Sequence, residues 1–340
     1  MTTAVSRHRA FLLTPDGDLV LTHAETPSPG AGQVLVRVTA SGVCGSDLAE
    51  FRRRRAQPGA HPPLVMGHEV AGVVAAGGTP EWPEGTPVVV DPALFCGRCS
   101  TCRAGRTSHC PDLRIVGHNY GQGGLSEHLA VPADALIRVP ASLPPATAAL
   151  VEPLSCAHHA VLRAGDADPR AGAVVFGAGA IGLGIALVLR ARGFETPVLV
   201  DPAPGRRAAA TAAGFTALSG PPPEAAPLVF EASGAPAGFR DAFTLTARGG
   251  ALVVAAQHGE DLVIDPWSAF AKEIRLTWSL GALRSDFDDV IELVHSGRLN
   301  PAGLAESVRP TDLTTLALTA MAAGARPKAV VAMSGWDTPE

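Results

Sequence analysis

Four of the six cysteines stand together in the stretch CGRCSTCRAGRTSHC. Clustered thiols form disulfides, a redox pair, or a metal site that is either catalytic or structural. We expect a cytoplasmic protein, whose thiols stay reduced, so disulfides are disfavoured. The spacing C-x2-C-x2-C-x7-C predicts a tetrahedral Zn²⁺ site that leaves no position open for a substrate. Its four ligands are Cys96, Cys99, Cys102 and Cys110.

An iron–sulfur cluster is the alternative for these four thiolates. The first three cysteines are spaced like a ferredoxin run, but the seven-residue gap before the fourth does not complete that pattern. Structural zinc is therefore favoured for this cluster.

A second set of metal-binding residue types is dispersed along the chain. Cys44 stands in GVCGSD, His68 and Glu69 stand in GHE, and Glu152 stands in VEP. A thiolate, an imidazole and a carboxylate suit zinc and leave one position for water or a substrate. Each residue alone is ordinarily structural, as a core cysteine or a hydrogen-bonded histidine. Their presence on one chain with a nucleotide motif favours a catalytic metal site.

The nucleotide motif is GAGAIG, in which Gly177, Gly179 and Gly182 follow the pattern G-x-G-x-x-G. The pattern follows a predicted strand and opens a predicted helix, which is the context that a dinucleotide fingerprint requires. The glycines permit a tight turn, close approach of a pyrophosphate and close packing of the helix. The free N–H groups of the first helical turn, at Ala180 and Ile181, then face the phosphates. The alternative is a glycine turn in an α/β sheet with no ligand.

The choice of cofactor depends on three residues that follow the next predicted strand. Asp201 is expected to accept hydrogen bonds from the adenosine ribose hydroxyls and to repel a 2′-phosphate, which favours NAD over NADP. Arg206 and Arg207 oppose this preference, because either guanidinium could reach a phosphate.

The elements that position these residues change in type near residue 145. Residues 34–131 contain short valine-rich runs separated by Gly and Pro, which predict an antiparallel, barrel-like fold. Later strands alternate with helices, beginning with AVVFGAGAIGLGIALVLRARG, and this indicates a doubly wound parallel sheet. A length of 340 residues agrees with two domains.

Composition narrows the class of partner. The net charge is −5 and no basic face is evident, which disfavours nucleic acid as a partner. No apolar run approaches the roughly 18 residues that a membrane span needs. The N-terminal stretch MTTAVSRHRAFLLTPDG turns polar too soon for a signal peptide. We therefore expect a small-molecule substrate and no membrane partner.

Together, CGSD, GHE, the four-cysteine stretch, VEP and GAGAIG resemble the zinc-dependent medium-chain alcohol dehydrogenases, in the same order over nearly the whole chain. The pattern is most similar to the sorbitol and threonine dehydrogenase branch. DPAPGRRAAA is similar to dehydrogenases of aminocyclitol antibiotic pathways, such as 2-deoxy-scyllo-inosamine dehydrogenase. The resemblance implies an α/β protein with a GroES-like β-barrel catalytic domain and a Rossmann NAD-binding domain. The catalytic domain would comprise 1–153 and 295–340, with a structural zinc lobe at 94–112, and the Rossmann domain 154–294.

The resemblance also implies roles for individual residues. Cys44 and His68 would bind the catalytic zinc, and the third protein ligand would be Glu69 or Glu152, between which the sequence does not choose. Ser46 matches the serine that hydrogen-bonds the substrate alcohol.

Three further positions follow from the same resemblance. Arg284 in GALRS matches an arginine near the substrate, and FEASG at 230–234 matches the turn under the nicotinamide ribose. Many relatives carry a histidine, the outer end of the proton relay, where this chain has Ala49. Glu50 is a possible substitute acting through water.

These inferences predict an enzyme that interconverts a secondary alcohol and a ketone of a polyol, cyclitol, aminocyclitol or sugar-like substrate with NAD. Two zinc ions per subunit and a homodimer or homotetramer are expected. A threonine-type amino-alcohol dehydrogenase or a phosphorylated-polyol dehydrogenase is the alternative enzyme, and a dinucleotide-binding regulator is the alternative outside enzymes.

Two groups of residues bear on the substrate without deciding it. The arginines of FRRRR at 51–55 suit an anionic substrate, a solvated loop or a subunit contact. The residues 118–120 are assigned to a substrate loop, as are His158 and His159, with a structural role as the alternative.

Overall fold

The computed structural model describes residues 6–53, 63–77, 79–195, 197–322 and 328–334. The chain divides into two compact units. The first unit comprises Met1–Glu152 and Glu306–Glu340, and the second comprises Pro153–Ala305. The chain thus returns to the first unit at Glu306, later than the expected boundary at 295.

The strands are numbered along the chain. They are β1 (Arg7–Leu13), β2 (Leu19–Glu25), β3 (Gln33–Gly42), β4 (Leu64–Val65), β5 (Glu69–Ala76), β6 (Pro87–Val90), β7 (Ala93–Leu94), β8 (Arg114–Ile115), β9 (His128–Pro132), β10 (Leu136–Arg138), β11 (Ala173–Phe176), β12 (Val198–Val200), β13 (Thr216–Leu218), β14 (Ala226–Glu231), β15 (Thr246–Val254), β16 (Arg275–Trp278), β17 (Ala305–Val308) and β18 (Lys328–Ala332).

The helices are numbered in the same way. They are α1 (Gly45–Arg53), α2 (Ser100–Arg103), α3 (Pro145–Ala149), α4 (Val151–Arg163), α5 (Ala180–Ala191), α6 (Pro204–Ala212), α7 (Pro236–Leu245), α8 (Pro266–Lys272), α9 (Arg284–His295) and α10 (Thr315–Ala322). None of them, among the described residues, combines the length and the apolar character that a bilayer crossing requires.

The first unit is an antiparallel β-structure whose strands follow the valine-rich runs. Its largest sheet has the order β10-β6-β5-β3-β18-β17, and β9 also pairs with β3. Because side chains alternate along a strand, Val34, Val36 and Val38 of β3 all enter one buried core. The strand β3 pairs antiparallel with β5, β9 and β18. The antiparallel fold predicted for 34–131 is confirmed.

The second unit contains a parallel sheet of order β13-β12-β11-β14-β15-β16. Counted from β11, this is the order 3-2-1-4-5-6 of a doubly wound dinucleotide-binding sheet. Its inner strands carry apolar runs because both faces are covered, as the complete burial of Val175, Val229 and Val253 shows. The predicted parallel sheet is confirmed, and its strand order reverses beside β11.

Candidate metal and nucleotide sites

Three residues of the dispersed set converge in the first unit. Cys44 follows β3. His68 directly precedes β5, and Glu69 is the first residue of β5, where the register places it opposite Gly42. The Cys44 thiol, a His68 ring nitrogen and a Glu69 carboxylate oxygen all lie within 4.8 Å of one another. Both His68 and Glu69 are buried. The antiparallel pairing of two strands therefore gathers donors that are far apart in sequence.

Asp47, in the first turn of α1, contacts both Cys44 and His68 of this cluster. Its Oδ2 accepts a hydrogen bond of 2.9 Å from the Cys44 backbone N–H, and its Oδ1 lies 3.5 Å from Nδ1 of His68. The carboxylate is fully buried. Burial raises its pKa, but the neighbouring His68 outweighs this and lowers the pKa to about 2. The residue belongs to the CGSD motif, yet sequence reasoning assigned it no role.

The charge around His68 tests whether a metal ion fits here. Burial lowers the pKa of His68, but the negative charges of Asp47 and Cys44 outweigh it and raise that pKa well above its usual value. Surroundings that favour a cation on the imidazole also favour a metal cation next to it. The thiolate, imidazole and carboxylate donors are a set that zinc accepts. The residues therefore fit the metal.

Lys328, the first residue of β18, is bound to the same cluster. Its Nζ donates a hydrogen bond of 2.6 Å to Oε1 of Glu69 and lies 2.5 Å from Oε2. It also donates to the backbone carbonyl of Val43 at 3.0 Å. Burial lowers the pKa of Lys328, but the charges of Glu69 and Cys44 outweigh it and the pKa is raised. Sequence analysis missed this residue.

Glu152 lies on the first turn of α4 and is 8% exposed. The group of donors that closes within 4.8 Å in the described chain contains Glu69 and not Glu152. The charge of Glu152 nevertheless contributes to the raised pKa of Lys328. Both candidate carboxylates therefore lie in the surroundings of one buried ammonium group.

Ser46 lies on α1, as Asp47 does, and begins a chain of polar contacts. Its Oγ lies 3.5 Å from Nε2 of His118, and Nδ1 of His118 lies 2.7 Å from Oε1 of Glu50. Both His118 and Glu50 are buried, and the His118 ring centroid is 4.8 Å from that of His68. Glu50 was considered as a partner acting through water. In the structure it meets His118 directly.

The neighbours of His118 have structural roles. Oδ1 of Asn119 accepts the Ile115 backbone N–H at 2.6 Å and so stabilises the turn. The Tyr120 hydroxyl accepts from the Gln33 amide at 2.8 Å and donates to a backbone carbonyl. Of the residues 118–120, only His118 joins the candidate site.

The four-cysteine lobe has a different construction. Its four thiols lie within 4.8 Å of one another in a loop between the short paired strands β7 and β8, and none forms a disulfide. The Cys96 N–H donates to the Cys110 sulfur and the Cys102 N–H donates to the Cys99 sulfur, both at 3.4 Å. Gly97 supplies the positive φ of 67° that this turn requires. The lobe is thus closed by local backbone geometry.

The thiol of Cys99 receives the clearest support as a thiolate. The Thr101 hydroxyl lies 3.0 Å from its sulfur, and this hydrogen bond, with the Cys102 N–H, lowers the pKa of Cys99 to about 6. Desolvation and the neighbouring Cys99 raise the pKa of Cys102 to about 12. Four adjacent thiols cannot all lose protons without a cation, so this lobe also fits zinc.

The glycine motif in the second unit lies on the turn between β11 and α5. Gly177 has a φ of 92°, and a Cβ there would lie 2.7 Å from the Ser233 nitrogen. A Cβ on Gly182 would overlap the Gly177 carbonyl oxygen, so the helix needs glycine to pack on the turn. A Cβ on Gly179 would meet no protein atom within 4 Å. Gly177 and Gly182 are therefore needed for close packing. Gly179 borders open space next to Ala180 and Ile181, the first residues of α5.

Asp201 follows β12 and fixes the loops beside the glycine turn. Its Oδ2 accepts from the Ala178 N–H at 2.9 Å and its Oδ1 from the Ala203 N–H at 2.8 Å. The residue is 2% exposed. Nη1 of Arg206 lies 3.6 Å from Oδ2, whereas Arg207 donates to backbone carbonyls. The aspartate is therefore part of the turn's framework, and of the two arginines it is Arg206 that pairs with its carboxylate.

The stretch FEASG forms a turn after β14 that is held by Glu231. Oε1 of Glu231 accepts from the Ser233 N–H at 2.8 Å and from the Ser233 hydroxyl. Oε2 lies 2.8 Å from Nε2 of His258. Both Glu231 and the His258 side chain are almost inaccessible to solvent. This buried pair was not assigned from the sequence, because the histidine is remote from the motif.

Comparison with known proteins agrees with both units. The family model for the alcohol dehydrogenase GroES-like domain matches residues 30–141, and the model for zinc-binding dehydrogenases matches residues 180–296. A 2-dehydro-3-deoxy-L-galactonate 5-dehydrogenase from Pseudoalteromonas atlantica is 32% identical over 301 residues, which cover 83% of this chain and 86% of that protein. The chain belongs to the zinc-dependent medium-chain alcohol dehydrogenase family.

Two further comparisons place the dehydrogenase among its relatives. It is 38% identical to an L-threonine 3-dehydrogenase from Pyrococcus horikoshii over 200 residues, which cover 57% of this chain and 56% of that protein. A crystal structure of an alcohol dehydrogenase from Escherichia coli complexed with NADH matches with a TM-score of 0.87 at 25% identity, covering 96% of this chain and 100% of that chain. The recognised family, the GroES-like and Rossmann fold class, and the enzyme class are confirmed.

The remaining predictions for this dehydrogenase have mixed outcomes. Arg284 is exposed at the first position of α9 in the second unit. Arg52 is exposed near the end of α1, and Arg54 and Arg55 lie outside the described residues. The assignment of His158 and His159 to a loop was wrong. Both lie on α4, where each Nδ1 lies 2.9 Å from an oxygen of Asp286.

Proposed function

We propose that this dehydrogenase interconverts a secondary alcohol and a ketone of a polyol, sugar acid or cyclitol-like substrate, with NAD as its cofactor. The observation that carries the proposal is the convergence of Cys44, His68 and a carboxylate within 4.8 Å of one another. Such a mixed set holds zinc with one position left for a substrate. A dinucleotide-binding regulator would need no such set.

Cys44 and His68 hold the catalytic zinc together with a carboxylate, Glu69 or Glu152. The metal, when bound, supplies Lewis acidity that polarises an alcohol or ketone oxygen. Asp47 fixes the orientation of His68 and receives the Cys44 backbone N–H. Such outer contacts set the geometry and basicity of a metal ligand.

The proton of the alcohol leaves through side chains of the first unit. Ser46 Oγ accepts it and passes a proton to Nε2 of His118, 3.5 Å away. Glu50 lies 2.7 Å from the opposite ring nitrogen and stabilises the imidazolium that results. This route takes the place of the relay histidine whose position is occupied by Ala49.

The nicotinamide cofactor supplies the hydride chemistry, and the second unit binds and orients it. The N–H groups at the start of α5 and the open space at Gly179 suit a pyrophosphate. The carboxylate of Asp201 carries negative charge beside this turn, which favours NAD over a cofactor with a 2′-phosphate. Within the FEASG turn, Glu231 accepts the hydrogen bond of the Ser233 backbone N–H and so stabilises the turn.

A second zinc ion in the four-cysteine lobe is assigned a structural role, since four thiolates leave no position open. A homodimer or homotetramer is also proposed. The strand β16 is at the edge of its sheet, and large apolar side chains are exposed near it, which is typical of an interaction surface. These side chains are Trp267, Phe270, Trp278 and Leu280.

The decisive experiment combines metal analysis with a substrate panel. Two zinc ions per chain and oxidation of polyols, sugar acids or cyclitols with NAD are expected. Threonine, polyol phosphates and NADP are assayed in parallel, because preference for any of them would select an alternative. A single zinc that Cys44→Ala leaves in place would contradict the catalytic site.

A further inference from the structure

Glu231 is a buried carboxylate for which the proposed chemistry has no use beyond the stability of a turn. It is the last residue of β14 and is completely buried. Its Oε1 accepts hydrogen bonds from the Ser233 N–H at 2.8 Å, from the Ser233 hydroxyl and from the Gly234 N–H at 3.2 Å. One carboxylate oxygen is therefore fully occupied by the FEASG turn.

His258 contacts the other oxygen of this carboxylate. Its Nε2 lies 2.8 Å from Oε2 of Glu231, and its side chain is 5% exposed. Its Nδ1 is buried and meets no hydrogen-bond partner in the described part of the chain. The Phe239 ring packs edge-on to the imidazole, with 6.1 Å between the ring centroids. The imidazole is thus bound to Glu231 on one side and unpaired on the other.

These contacts fix the number of protons that the Glu231–His258 pair holds. A second proton, whether it made Glu231 an acid or His258 an imidazolium, would require an N–H at Nδ1. That N–H would be buried without an acceptor, a state that folded proteins rarely leave. The pair therefore holds a single proton on Nε2, which His258 donates to an ionised Glu231. The pair as a whole carries one negative charge.

This charge is stabilised by hydrogen bonds and not by a cationic side chain. Among the contacts that the described residues make, the Glu231 oxygens meet the donors of Ser233, Gly234 and His258, and no lysine or arginine. Donated hydrogen bonds favour the ionised form of a carboxyl group. A buried charge is nevertheless costly unless an opposite charge lies near it. The pair is therefore suited to stabilise a cation that binds beside it.

The place of the pair in the parallel sheet indicates which cation this is. Such a sheet binds a dinucleotide across the carboxyl ends of its strands, with one nucleotide on each half. Asp201 follows β12 and marks the half for the adenosine, so the half that begins with β14 takes the nicotinamide. Glu231 ends β14 and is the register partner of Val254, which ends β15. The FEASG turn also adjoins the glycine turn, since a Cβ on Gly177 would lie 2.7 Å from the Ser233 nitrogen.

We propose that the Glu231–His258 pair is a specificity determinant that favours the oxidised cofactor NAD⁺ over NADH. The nicotinamide ring is positively charged in NAD⁺ and neutral in NADH. A buried anion on the nicotinamide side of the sheet attracts the charged ring, and the low dielectric of the interior keeps this attraction strong. The inference rests on the nicotinamide cofactor of the proposed function. It gives Glu231 an electrostatic role in addition to its role in the turn.

The test measures the dissociation constants of NAD⁺ and NADH for the purified, zinc-loaded protein without a substrate, by calorimetry and by NADH fluorescence. Glu231→Gln keeps the size of the side chain and removes its charge. It should raise the dissociation constant of NAD⁺ about tenfold relative to that of NADH. Glu224→Gln is the matched control, because it removes the same charge from an exposed position before the amino end of the same strand. Its ratio of dissociation constants should equal that of the wild type.

The outcomes separate this inference from the proposed function. An unchanged ratio in Glu231→Gln would overturn the electrostatic role. Equal weakening of both cofactors would also overturn it and leave Glu231 as a residue of the turn alone. A wild-type protein that binds neither cofactor would instead contradict the proposed function.

His258→Lys provides a second measurement if Glu231→Gln does not fold. The introduced ammonium group would neutralise the intact carboxylate, so the preference for NAD⁺ should fall as it does in Glu231→Gln. His258→Gln keeps an N–H donor and the charge of Glu231, and it should retain the preference. A preference that His258→Lys leaves unchanged, or that His258→Gln abolishes, would contradict a role for the charge of the pair.

Discussion

The four-cysteine lobe and the cluster around Cys44 are two candidate zinc sites built in opposite ways. The lobe takes four identical donors from one stretch, Cys96 to Cys110, and closes them with local N–H···S contacts. The other site takes unlike donors from separate strands and surrounds them with buried charges. A site of four cysteines needs only a short loop, whereas a site of unlike donors needs a fold that brings separate segments of the chain together.

The largest difference between the two sites should appear in turnover. Cys44→Ala is expected to lower kcat/KM by about 10³-fold or more, because several kcal/mol of transition-state stabilisation by the metal are lost. The circular dichroism spectrum and the melting temperature should change little. Zinc content should fall from two ions to one. Substantial residual activity would mean that the two sites do not divide chemistry and structure as proposed.

Cys99→Ser tests the lobe in the opposite sense. Structural zinc contributes directly to folding free energy, so the loss of one thiolate should lower the melting temperature clearly and promote dissociation or aggregation. The protein that remains folded should keep the zinc bound near Cys44. A stable Cys99→Ser variant that retains both zinc ions would contradict the structural role of the lobe.

Asp47→Asn tests the residue that supports the ligands Cys44 and His68 of the dispersed site. Since Asp47 orients His68 and receives the Cys44 N–H, its loss should weaken zinc binding at the dispersed site by about 10- to 100-fold. Zinc in the lobe should be unaffected. Chelator titration with metal analysis at each step measures the two sites separately. Equal weakening at both sites would point to a general loss of folding stability.

Thr101→Val makes the corresponding change in the lobe and should have the smallest effect. It removes the hydroxyl contact to the Cys99 sulfur, so the free energy of unfolding should fall only slightly, because water can replace a hydrogen bond near the surface. Turnover should stay at the wild-type level. Urea unfolding of the zinc-loaded protein measures the change, and an effect as large as that of Cys99→Ser would contradict a locally closed lobe.

The same contrast explains what the sequence could predict. The four-cysteine spacing and the GAGAIG motif are local patterns, so the lobe and the turn between β11 and α5 could be located from the sequence. The parallel sheet was also predictable, because buried strands and helices alternate in separate runs. The glycines of the motif carry specific steric demands that the structure expresses at Gly177 and Gly182.

The surroundings of the dispersed site could not be predicted in the same way. Lys328 reaches Glu69 only because β18 pairs with β3, and no periodicity reports a pairing over that sequence distance. His118 was considered but not placed, since its contacts to Ser46 and Glu50 depend on a long loop. The choice between Glu69 and Glu152 had the same origin, because it depends on contacts between residues that are far apart in the sequence.

The position of β18 has a consequence for how the protein is made. Ribosomes release a chain from its N-terminus, so β3 and β5 emerge long before Lys328. Until then the Glu69 carboxylate has no ammonium partner, and the edge of β3 that β18 covers is free to pair wrongly. The large sheet of the first unit is therefore complete only after β18 has been synthesised.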